Sequence, residues 1–381
     1  MISLKSNLTK NKFNKRITKR ITKRIIKRIT KRTTKKSRKI KNKQNGGEIT
    51  PKILIENGCI VNSVAWSPDG KKIAIGGFNI IDKKITTQIY DLESNKIIYL
   101  GIDKDHVNLL LWTKNSKSLI SFNNNEPNGT LIKLWDIESQ KLKKKINLNY
   151  LSYNIKSMAL SPDKTKIIIP KSDKTIIYDI KTKTEKKLKI DNDGTSSINL
   201  ALWSNNGKII ACNNIKNIHL FDGKTFMPLN IPNNINILKG HTDGIQSFSF
   251  SYDDKILASA SGDKTVRLWD LMNGNHLHTF TKSLPFLSVA WSPISLTLVA
   301  GCQDMCIYLW DLKIKNNEEQ SNEKKGLFSS LFSSGLSSNV TIVKNEILKV
   351  NKKGIFTISW NPNGKQIVSG SEKMVLLWNL Q

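Results

Sequence analysis

The chain has 381 residues, of which 38% are hydrophobic and 24% are charged, so it can bury a core and is not disordered throughout. No run approaches the ~18 consecutive apolar residues of a membrane-spanning helix, which predicts a protein without a transmembrane segment. The N-terminus lacks the apolar segment of a secretory signal, and four cysteines are too few for a disulfide framework. Both features favour a reducing compartment inside the cell.

A basic segment opens the chain. The formal net charge is +31, and residues 1–47 contribute +19 of it, since they hold 13 Lys, 6 Arg and no acidic residue. Residues 15–34 repeat a four-residue unit (KRIT, KRIT, KRII, KRIT, KRTT). A run of like charge repels itself, so we expect residues 1–47 to form a disordered extension when free. The basic pairs of the repeat are the candidate polyanion-binding residues: Lys15, Arg16, Lys19, Arg20, Lys23, Arg24, Lys27, Arg28, Lys31 and Arg32.

Four interpretations of this basic segment stay open. It binds nucleic acid or serves as a nuclear or nucleolar address; it lies on an anionic membrane surface; it is a mitochondrial transit peptide; or it is a solvated low-complexity tail without a partner. Phe13 is its single aromatic residue, so base stacking is not expected. Any contact with nucleic acid would be made to phosphates and would not read the base sequence.

The remainder of the chain repeats one pattern seven times. Each unit has a short alternating apolar run, a turn such as Ser67-Pro68-Asp69-Gly70, a second apolar run, and an aromatic residue followed by Asp or Asn. Proline and glycine supply the backbone angles of a tight turn, and short apolar runs with a period of two are typical of strands. The aromatic pairs fall at Tyr90-Asp91, Trp135-Asp136, Tyr178-Asp179, Phe221-Asp222, Trp269-Asp270, Trp310-Asp311 and Trp378-Asn379.

Residues 238–280 (LKGHTDGIQSFSFSYDDKILASASGDKTVRLWDLMNGNHLHTF) resemble the consensus of the WD-repeat family, and a looser resemblance extends over residues 50–381. The resemblance implies an all-β fold, a seven-bladed WD-repeat β-propeller with four antiparallel strands in each blade. Residues 53–66 align without gaps with residues 237–250, and the last unit ends after its third strand. We therefore expect a strand near residues 52–55 to pair into the seventh blade and close the ring.

The resemblance also implies a hydrogen-bonded structural tetrad in the fifth blade, formed by His241, Ser259, Asp263 and Trp269. A buried polar chain of this kind is favourable when every member has its partners. Other blades depart from the motif: Asn57 and Asn351 stand at the histidine position of the first and last repeats, and Ala300 stands at the serine position of the sixth. We expect those blades to depend more on apolar packing, and the fifth blade to be the most rigid.

The sequence predicts no catalytic residue, metal site or cofactor. It contains no phosphate-binding glycine loop, nucleophile elbow or zinc-protease motif. His276 and His278 share one face of a predicted outer strand, but a third metal ligand is missing; Cys302 and Cys306 flank a turn and are interpreted as structural thiols. The aromatic residues that end the first strands are interpreted as core residues: Trp66, Trp112, Trp203, Trp291 and Trp360.

The sixth unit carries an insertion of about 27 residues, placed at about 315–343. Within it, Leu327, Phe328, Leu331 and Phe332 recur at spacings that would form one apolar face of a helix. One interpretation is a short helix that docks into a groove of a partner. The alternative is a low-complexity loop whose apolar residues fold back onto the blade.

These patterns predict a scaffold that is not an enzyme and that binds other proteins through the faces of a monomeric propeller within a larger complex. The alternative is a nucleic-acid-associated protein that is anchored by residues 1–47 and recruits partners through the propeller. The predicted location is intracellular: nuclear or nucleolar if the basic segment acts as an address, and cytoplasmic otherwise. No Trp-Asp-x-Arg sequence occurs, so the box with which some members of the family dock to ubiquitin-ligase adaptors is not met.

Overall fold

The structure is a computed structural model. It describes residues 49–380 apart from 57–58, 80–84, 104–105, 126–128, 149–156, 171–174, 189–197, 230, 232–235, 315–339 and 350–353. The basic segment and most of the insertion predicted in the sixth unit therefore lie outside the described residues.

The described strands form seven antiparallel sheets of four strands each, so the predicted seven-bladed β-propeller is confirmed. In each blade we label the strands a to d from the inside outwards, because the first strands of neighbouring blades pack against one another. Blade 1 consists of β2 Cys59–Trp66, β3 Lys72–Asn79, β4 Ile85–Asp91 and β5 Lys96–Asp103. Blade 2 consists of β6 His106–Trp112, β7 Ser118–Asn125, β8 Gly129–Asp136 and β9 Leu142–Leu148. Blade 3 consists of β10 Ala159–Leu160, β11 Lys166–Pro170, β12 Thr175–Asp179 and β13 Glu185–Leu188.

The strands of blades 4 to 7 complete the ring. Blade 4 consists of β14 Ala201–Trp203, β15 Ile209–Asn214, β16 Asn217–Asp222 and β17 Ile237–Leu238, and blade 5 of β18 Ile245–Phe250, β19 Ile256–Ser261, β20 Thr265–Asp270 and β21 His276–Thr281. Blade 6 consists of β22 Phe286–Trp291, β23 Thr297–Cys302, β24 Cys306–Ile314 and β25 Val340–Lys349. Blade 7 consists of β26 Ile355–Trp360, β27 Gln366–Ser371, β28 Met374–Asn379 and, as the outer strand, β1 Lys52–Glu56.

The first and last strands of the chain close the ring. Strand β1 pairs with β28 in antiparallel register, from Lys52 opposite Leu377 to Glu56 opposite Met374, with a bulge after Ile53. The seventh blade thus takes its outer strand from the N-terminal end of the propeller. Closure removes the exposed sheet edges that an open array of blades would present to solvent.

The a–b turns follow one local design. In blade 1, Ser67 Oγ donates to Asp69 Oδ1 (2.5 Å) and accepts from the backbone N of Lys72 (2.9 Å), while Gly70 N donates to the carbonyl oxygen of Ser67 (2.8 Å). Gly70 has φ +69°, a left-handed conformation that glycine adopts without steric cost. This is why the turn sequence ends in glycine.

Some of the tryptophans that end inner strands link their blade to the preceding one. Trp112 Nε1 donates to the carbonyl oxygen of Ala65 in the preceding blade (3.0 Å), and Trp360 Nε1 donates to that of Ala290 (3.1 Å). Their assignment to the core is confirmed, because five such side chains are buried: Trp66, Trp112, Trp203, Trp291 and Trp360.

A hydroxyl group in the inner strand or just before it adds a second link between blades, which the sequence analysis missed. Leu110 N donates to Ser63 Oγ of the preceding blade (3.1 Å), and Ala201 N donates to Ser157 Oγ (3.1 Å). Ser63 lies three residues before the strand-ending Trp66. A Ser or Thr at that spacing was the signal available in the sequence.

Antiparallel pairing places the connections on two opposite rims of the propeller. The a–b and c–d turns lie on one rim, which we call the ab/cd rim. The b–c turns and the links from strand d to the next strand a lie on the other, the bc/da rim. Neighbouring blades therefore present their turns side by side on a common surface.

Candidate interaction surfaces

The four predicted tetrad residues meet in one buried chain of hydrogen bonds in blade 5. Trp269 Nε1 donates to Ser259 Oγ (2.8 Å), Ser259 Oγ lies 2.7 Å from His241 Nε2, and His241 Nδ1 lies 2.8 Å from Asp263 Oδ2. A carboxylate can only accept, so Nδ1 carries the proton and Nε2 accepts from the Ser259 hydroxyl. Every polar group of the chain then has a partner.

The charge state of Asp263 fits this arrangement. Burial alone would raise its pKa, but hydrogen bonds from His241 and Thr265 outweigh burial and hold the pKa well below its ordinary value. Thr265 Oγ1 donates at 2.6 Å, and Thr242 N donates at 3.1 Å. The ionised carboxylate thereby ties strand c to the link that enters the blade. Its contribution to stability stays a prediction.

Two blades that depart from the motif keep part of it, which the sequence analysis missed. Trp135 Nε1 donates to Ser121 Oγ in blade 2, and Trp378 Nε1 donates to Ser369 Oγ in blade 7, both at 2.9 Å. These buried pairs lack the histidine and aspartate links of blade 5. The seventh blade is therefore not held by apolar packing alone.

Blade 6 uses its aspartate differently. Ala300 occupies the serine position and is buried, so no hydroxyl group is present there to accept a hydrogen bond from Trp310. Tyr308 Oη donates to Asp304 Oδ2 (2.6 Å) instead, and the Trp310 ring stacks on Phe280 with ring centroids 4.0 Å apart. Aromatic stacking takes the place of the polar chain in this blade.

The candidate metal and thiol residues are engaged in local contacts. His276 Nε2 lies 2.7 Å from Thr279 Oγ1, and His278 packs edge-on against Phe280. Burial lowers the pKa of both histidines. Among the described residues, no group of three or more His, Cys, Asp and Glu side chains is placed to hold a metal ion.

The two cysteines of blade 6 lie on either side of its b–c turn. Cys302 is buried, and its Sγ donates to the carbonyl oxygen of Leu284 (3.4 Å). Burial raises the pKa of Cys302 to about 12 and also raises the pKa of Cys306. Neither sulfur is a ready nucleophile at neutral pH, because the thiolate is the reactive form.

Large apolar side chains protrude from the ab/cd rim of three consecutive blades. Met227 lies on the c–d turn of blade 4 and Met272 on that of blade 5, and each is more than 60% exposed. Tyr252 and Ile294 lie on the a–b turns of blades 5 and 6 and are about half exposed. Neighbouring exposed apolar groups are typical of interaction surfaces, whereas single ones are ordinary.

The bc/da rim carries a second, less exposed set of apolar residues. Ile215 and Met305 lie on the b–c turns of blades 4 and 6, and Leu284 lies on the link into blade 6. Phe356, near the start of strand a in blade 7, is 39% exposed. The ab/cd rim is therefore the more apolar of the two surfaces in blades 4 to 6.

Two sets of candidate residues fall outside the described part of the chain. The first is the basic set between Lys15 and Arg32. The second is the docking set of the insertion: Leu327, Phe328, Leu331 and Phe332. Both stay predictions. In the part of the chain that the structure does describe, no helix has the length and apolar character that crossing a bilayer requires.

The fold defines a β-propeller, and comparison with known proteins identifies the repeats that build it. The family model "WD domain, G-beta repeat" matches residues 52–85, 232–270, 274–311 and 344–379. The chain therefore contains WD repeats in four places, and WD repeat-containing proteins are among its relatives.

Curated relatives and one solved structure agree with this assignment. "WD repeat-containing protein AAC3" of Dictyostelium discoideum is 27% identical over 64% of this chain, which spans about half (54%) of that relative's length. "THO complex subunit 3" of Arabidopsis thaliana is 24% identical over 65% of this chain and 75% of its own length. A chain in the crystal structure of the mitotic checkpoint complex superposes with a TM-score of 0.64 at 15% identity, covering 89% of this chain and 94% of that one, which shows likeness of fold.

Proposed function

We propose that this protein is a non-catalytic scaffold that binds other proteins through the ab/cd rim of blades 4 to 6. The observation that carries the proposal is the group of four exposed apolar side chains on that rim, Met227, Tyr252, Met272 and Ile294. Methionine and aromatic side chains are enriched in protein interfaces, and methionine adapts its shape to a partner. A closed ring holds these turns at fixed positions, so binding loses little conformational entropy.

The similar proteins support the same proposal. One relative is named as a subunit of the THO complex, and the chain with the similar fold was crystallised within the mitotic checkpoint complex. Both names describe proteins that assemble with others. Within this proposal the propeller acts as a single copy in a larger assembly and contributes surface but no reacting group.

The test replaces the four rim residues with polar ones. The ab/cd variant carries Met227→Gln, Tyr252→Ser, Met272→Gln and Ile294→Thr in the full chain. Its matched control changes the four apolar residues of the opposite rim: Ile215→Asn, Leu284→Gln, Met305→Gln and Phe356→Thr. Both variants are first shown to melt at the wild-type temperature.

Proteins captured from the native cell lysate by each tagged chain are then quantified by mass spectrometry. The proposal expects a set of proteins that wild type and the bc/da control retain and that the ab/cd variant loses by about tenfold or more, since central apolar contacts carry most of an interface's affinity. Equal retention by the two variants, or loss confined to the bc/da control, would contradict it.

The cellular location is part of the same proposal. The +19 charge of residues 1–47 favours a nuclear or nucleolar location. A fluorescent fusion of the full chain should concentrate in the nucleus, and one that begins at Glu48 should not. Cytoplasmic fluorescence of both fusions would restrict the proposal to the propeller.

A further inference from the structure

Blades 2 and 3 are rich in lysine. The net charge of the whole chain does not reveal this, because residues 1–47 contribute most of that charge. The described residues between 106 and 188 contain 13 Lys and 5 acidic residues, a net charge of +8. Residues 239–281, which form blade 5 and the link that enters it, contain 4 basic and 5 acidic residues, a net charge of −1. Eleven of the 13 lysines are exposed: Lys114, Lys117, Lys141, Lys143, Lys144, Lys145, Lys164, Lys181, Lys183, Lys186 and Lys187. We call these eleven residues the lysine sector.

Most of the lysine sector lies on the ab/cd rim or beside it. Lys114 and Lys117 lie on the a–b turn of blade 2, and Lys164 lies on the equivalent turn of blade 3. The c–d turns of the same blades add Lys141, Lys181 and Lys183, and the outer strands β9 and β13 add the other five. The positive charge is therefore concentrated on one side of two neighbouring blades.

A pocket of about 340 Å³ lies within this surface, where the two a–b turns meet. It is lined by Thr113, Lys114, Asn115, Pro162, Asp163 and Lys164. Partial burial lowers the pKa of Lys164; the charge of Asp163 opposes this shift, and the charge of Lys114 adds to it. The two ammonium groups at this pocket repel each other, Asp163 offsets part of that repulsion, and an anion bound between the lysines would offset more of it.

Nearby carboxylates neutralise only part of this charge. Lys143 Nζ lies 2.5 Å from Asp136 Oδ2. The other oxygen of the Asp136 carboxylate accepts a hydrogen bond from the backbone N of Ser139. The pocket carboxylate of Asp163 accepts from the Ser161 hydroxyl (2.5 Å). These acids hold their own turns together, and an excess of +8 remains for a ligand.

The surroundings distinguish a phosphate backbone from an acidic protein. Protein interfaces are depleted in lysine and enriched in aromatic residues, methionine and arginine. In the described part of blades 2 and 3, Leu142 is the one large apolar side chain that is exposed, whereas blades 4 to 6 present the methionines and Tyr252 described above. Contacts with nucleic acid are made largely to phosphate oxygens, for which lysine serves as a point charge.

We propose that the lysine sector binds nucleic acid through its phosphate backbone, with one phosphate seated in the pocket between Lys114 and Lys164. Binding does not read the base sequence, because the sector offers charge and no stacking side chain. The ab/cd rim thus carries two surfaces, a basic one on blades 2 and 3 and an apolar one on blades 4 to 6. This inference does not rest on the scaffold function, because it uses different residues and a different ligand.

The experiment is a salt titration with the full chain. Binding of a fluorescein-labelled 40-nucleotide poly(U) is measured between 50 and 200 mM NaCl. The sector variant carries Lys114→Gln, Lys144→Gln, Lys164→Gln and Lys187→Gln. The control variant removes the same charge from exposed lysines elsewhere on the ring: Lys239→Gln, Lys255→Gln, Lys264→Gln and Lys365→Gln.

The sector variant should bind about tenfold or more weakly at 100 mM salt. Its plot of log affinity against log salt should be shallower by about 2 to 3, since each contact to a single-stranded phosphate contributes about 0.7 to the slope. The control variant should stay within about twofold of wild type in affinity. Equal behaviour of the two variants would overturn the proposal, because the charge would then act without regard to position.

A second probe separates nucleic acid from acidic protein. Poly-L-glutamate of the same number of charges is titrated against the same three proteins. Weaker binding of poly(U) with little change for poly-L-glutamate supports the proposal. Equal losses for both polymers would overturn the assignment to nucleic acid.

Discussion

Trp66 Nε1 donates a hydrogen bond to the carbonyl oxygen of Ser359, at 3.2 Å and across 293 positions of the chain. The same link joins Trp112 to Ala65 between blades that are adjacent in sequence. The contact between the first and last blades is therefore equivalent to the contacts inside the ring. Trp360 makes the same link to Ala290, so three junctions between blades share it, including the junction that closes the ring.

Ring closure by β1 predicts a position-dependent loss of stability. Ile55 is buried, whereas Ile53 in the same strand is 52% exposed. Ile55→Asp places a charge in the apolar contact with blade 7 and should lower the free energy of unfolding by about 3 kcal/mol or more. Ile53→Asp, the matched control, should cost less than about 1 kcal/mol. Urea unfolding followed by tryptophan fluorescence measures both, and equal costs would contradict closure through this strand.

The hydrogen-bonded chain of blade 5 predicts a graded effect of removing hydroxyl groups. Ser259→Ala leaves both His241 Nε2 and Trp269 Nε1 buried without a partner, at a cost of about 2–4 kcal/mol. Ser369→Ala in blade 7 leaves only Trp378 Nε1 without a partner and should lower the free energy of unfolding by about 1–2 kcal/mol. Thermal unfolding of the two variants tests the order. A Ser369→Ala variant less stable than Ser259→Ala would show that the longer chain adds nothing.

Asp263 predicts a dependence of stability on pH. Its folded pKa lies below the unfolded value of about 3.9, so its stabilising effect is present above that pH and is lost as pH falls toward the folded pKa. Asp263→Asn should therefore be less stable than wild type at pH 7, and the difference should shrink below about pH 4. Asp243→Asn, which changes an exposed carboxylate in the link that enters the same blade, is the control. A difference that stays constant from pH 7 to pH 3 would contradict the assignment.

The insertion in blade 6 should be needed for binding a partner but not for folding. Ile314 and Val340 are cross-strand partners, so a two-residue Asn-Gly turn can replace residues 315–339 and close the β24–β25 hairpin. The shortened chain should melt as wild type does. It should also lose any partner that docks on the apolar face of Leu327, Phe328, Leu331 and Phe332. Changing those four residues to serine in the full chain should give the same loss, and full retention of partners by both chains would contradict a docking role.

The sequence predicted the ring well and its polar details less well. The aromatic–acid pairs, such as Trp269-Asp270, mark one strand per blade and so revealed seven blades even where the repeats are degenerate. The Trp135–Ser121 bond was missed because it joins residues 14 positions apart on neighbouring strands, and the strand register alone brings them together. The resemblance could not indicate that Asp304 would accept from Tyr308, because this choice depends on the missing serine at Ala300.

The surfaces were harder still to predict. Met227 and Met272 lie on turns, and the lengths of the turns vary from blade to blade. Which residues lie beside a turn residue is known only when the positions of the blades are known. Lys144 and Lys187 are 43 positions apart in sequence, and they belong to outer strands of neighbouring blades. Counting charge along the chain drew attention to residues 1–47 and away from these lysines.

Cross-linking mass spectrometry of the native complex tests the scaffold proposal most directly. A lysine-reactive reagent reports on Lys208, Lys224 and Lys255 on the ab/cd rim of blades 4 and 5, and on Lys216, Lys239 and Lys264 on the bc/da rim of the same blades. Partner cross-links concentrated on the first three lysines are the predicted result. Partner cross-links concentrated on the second three, with the ab/cd lysines modified by reagent alone, would contradict it.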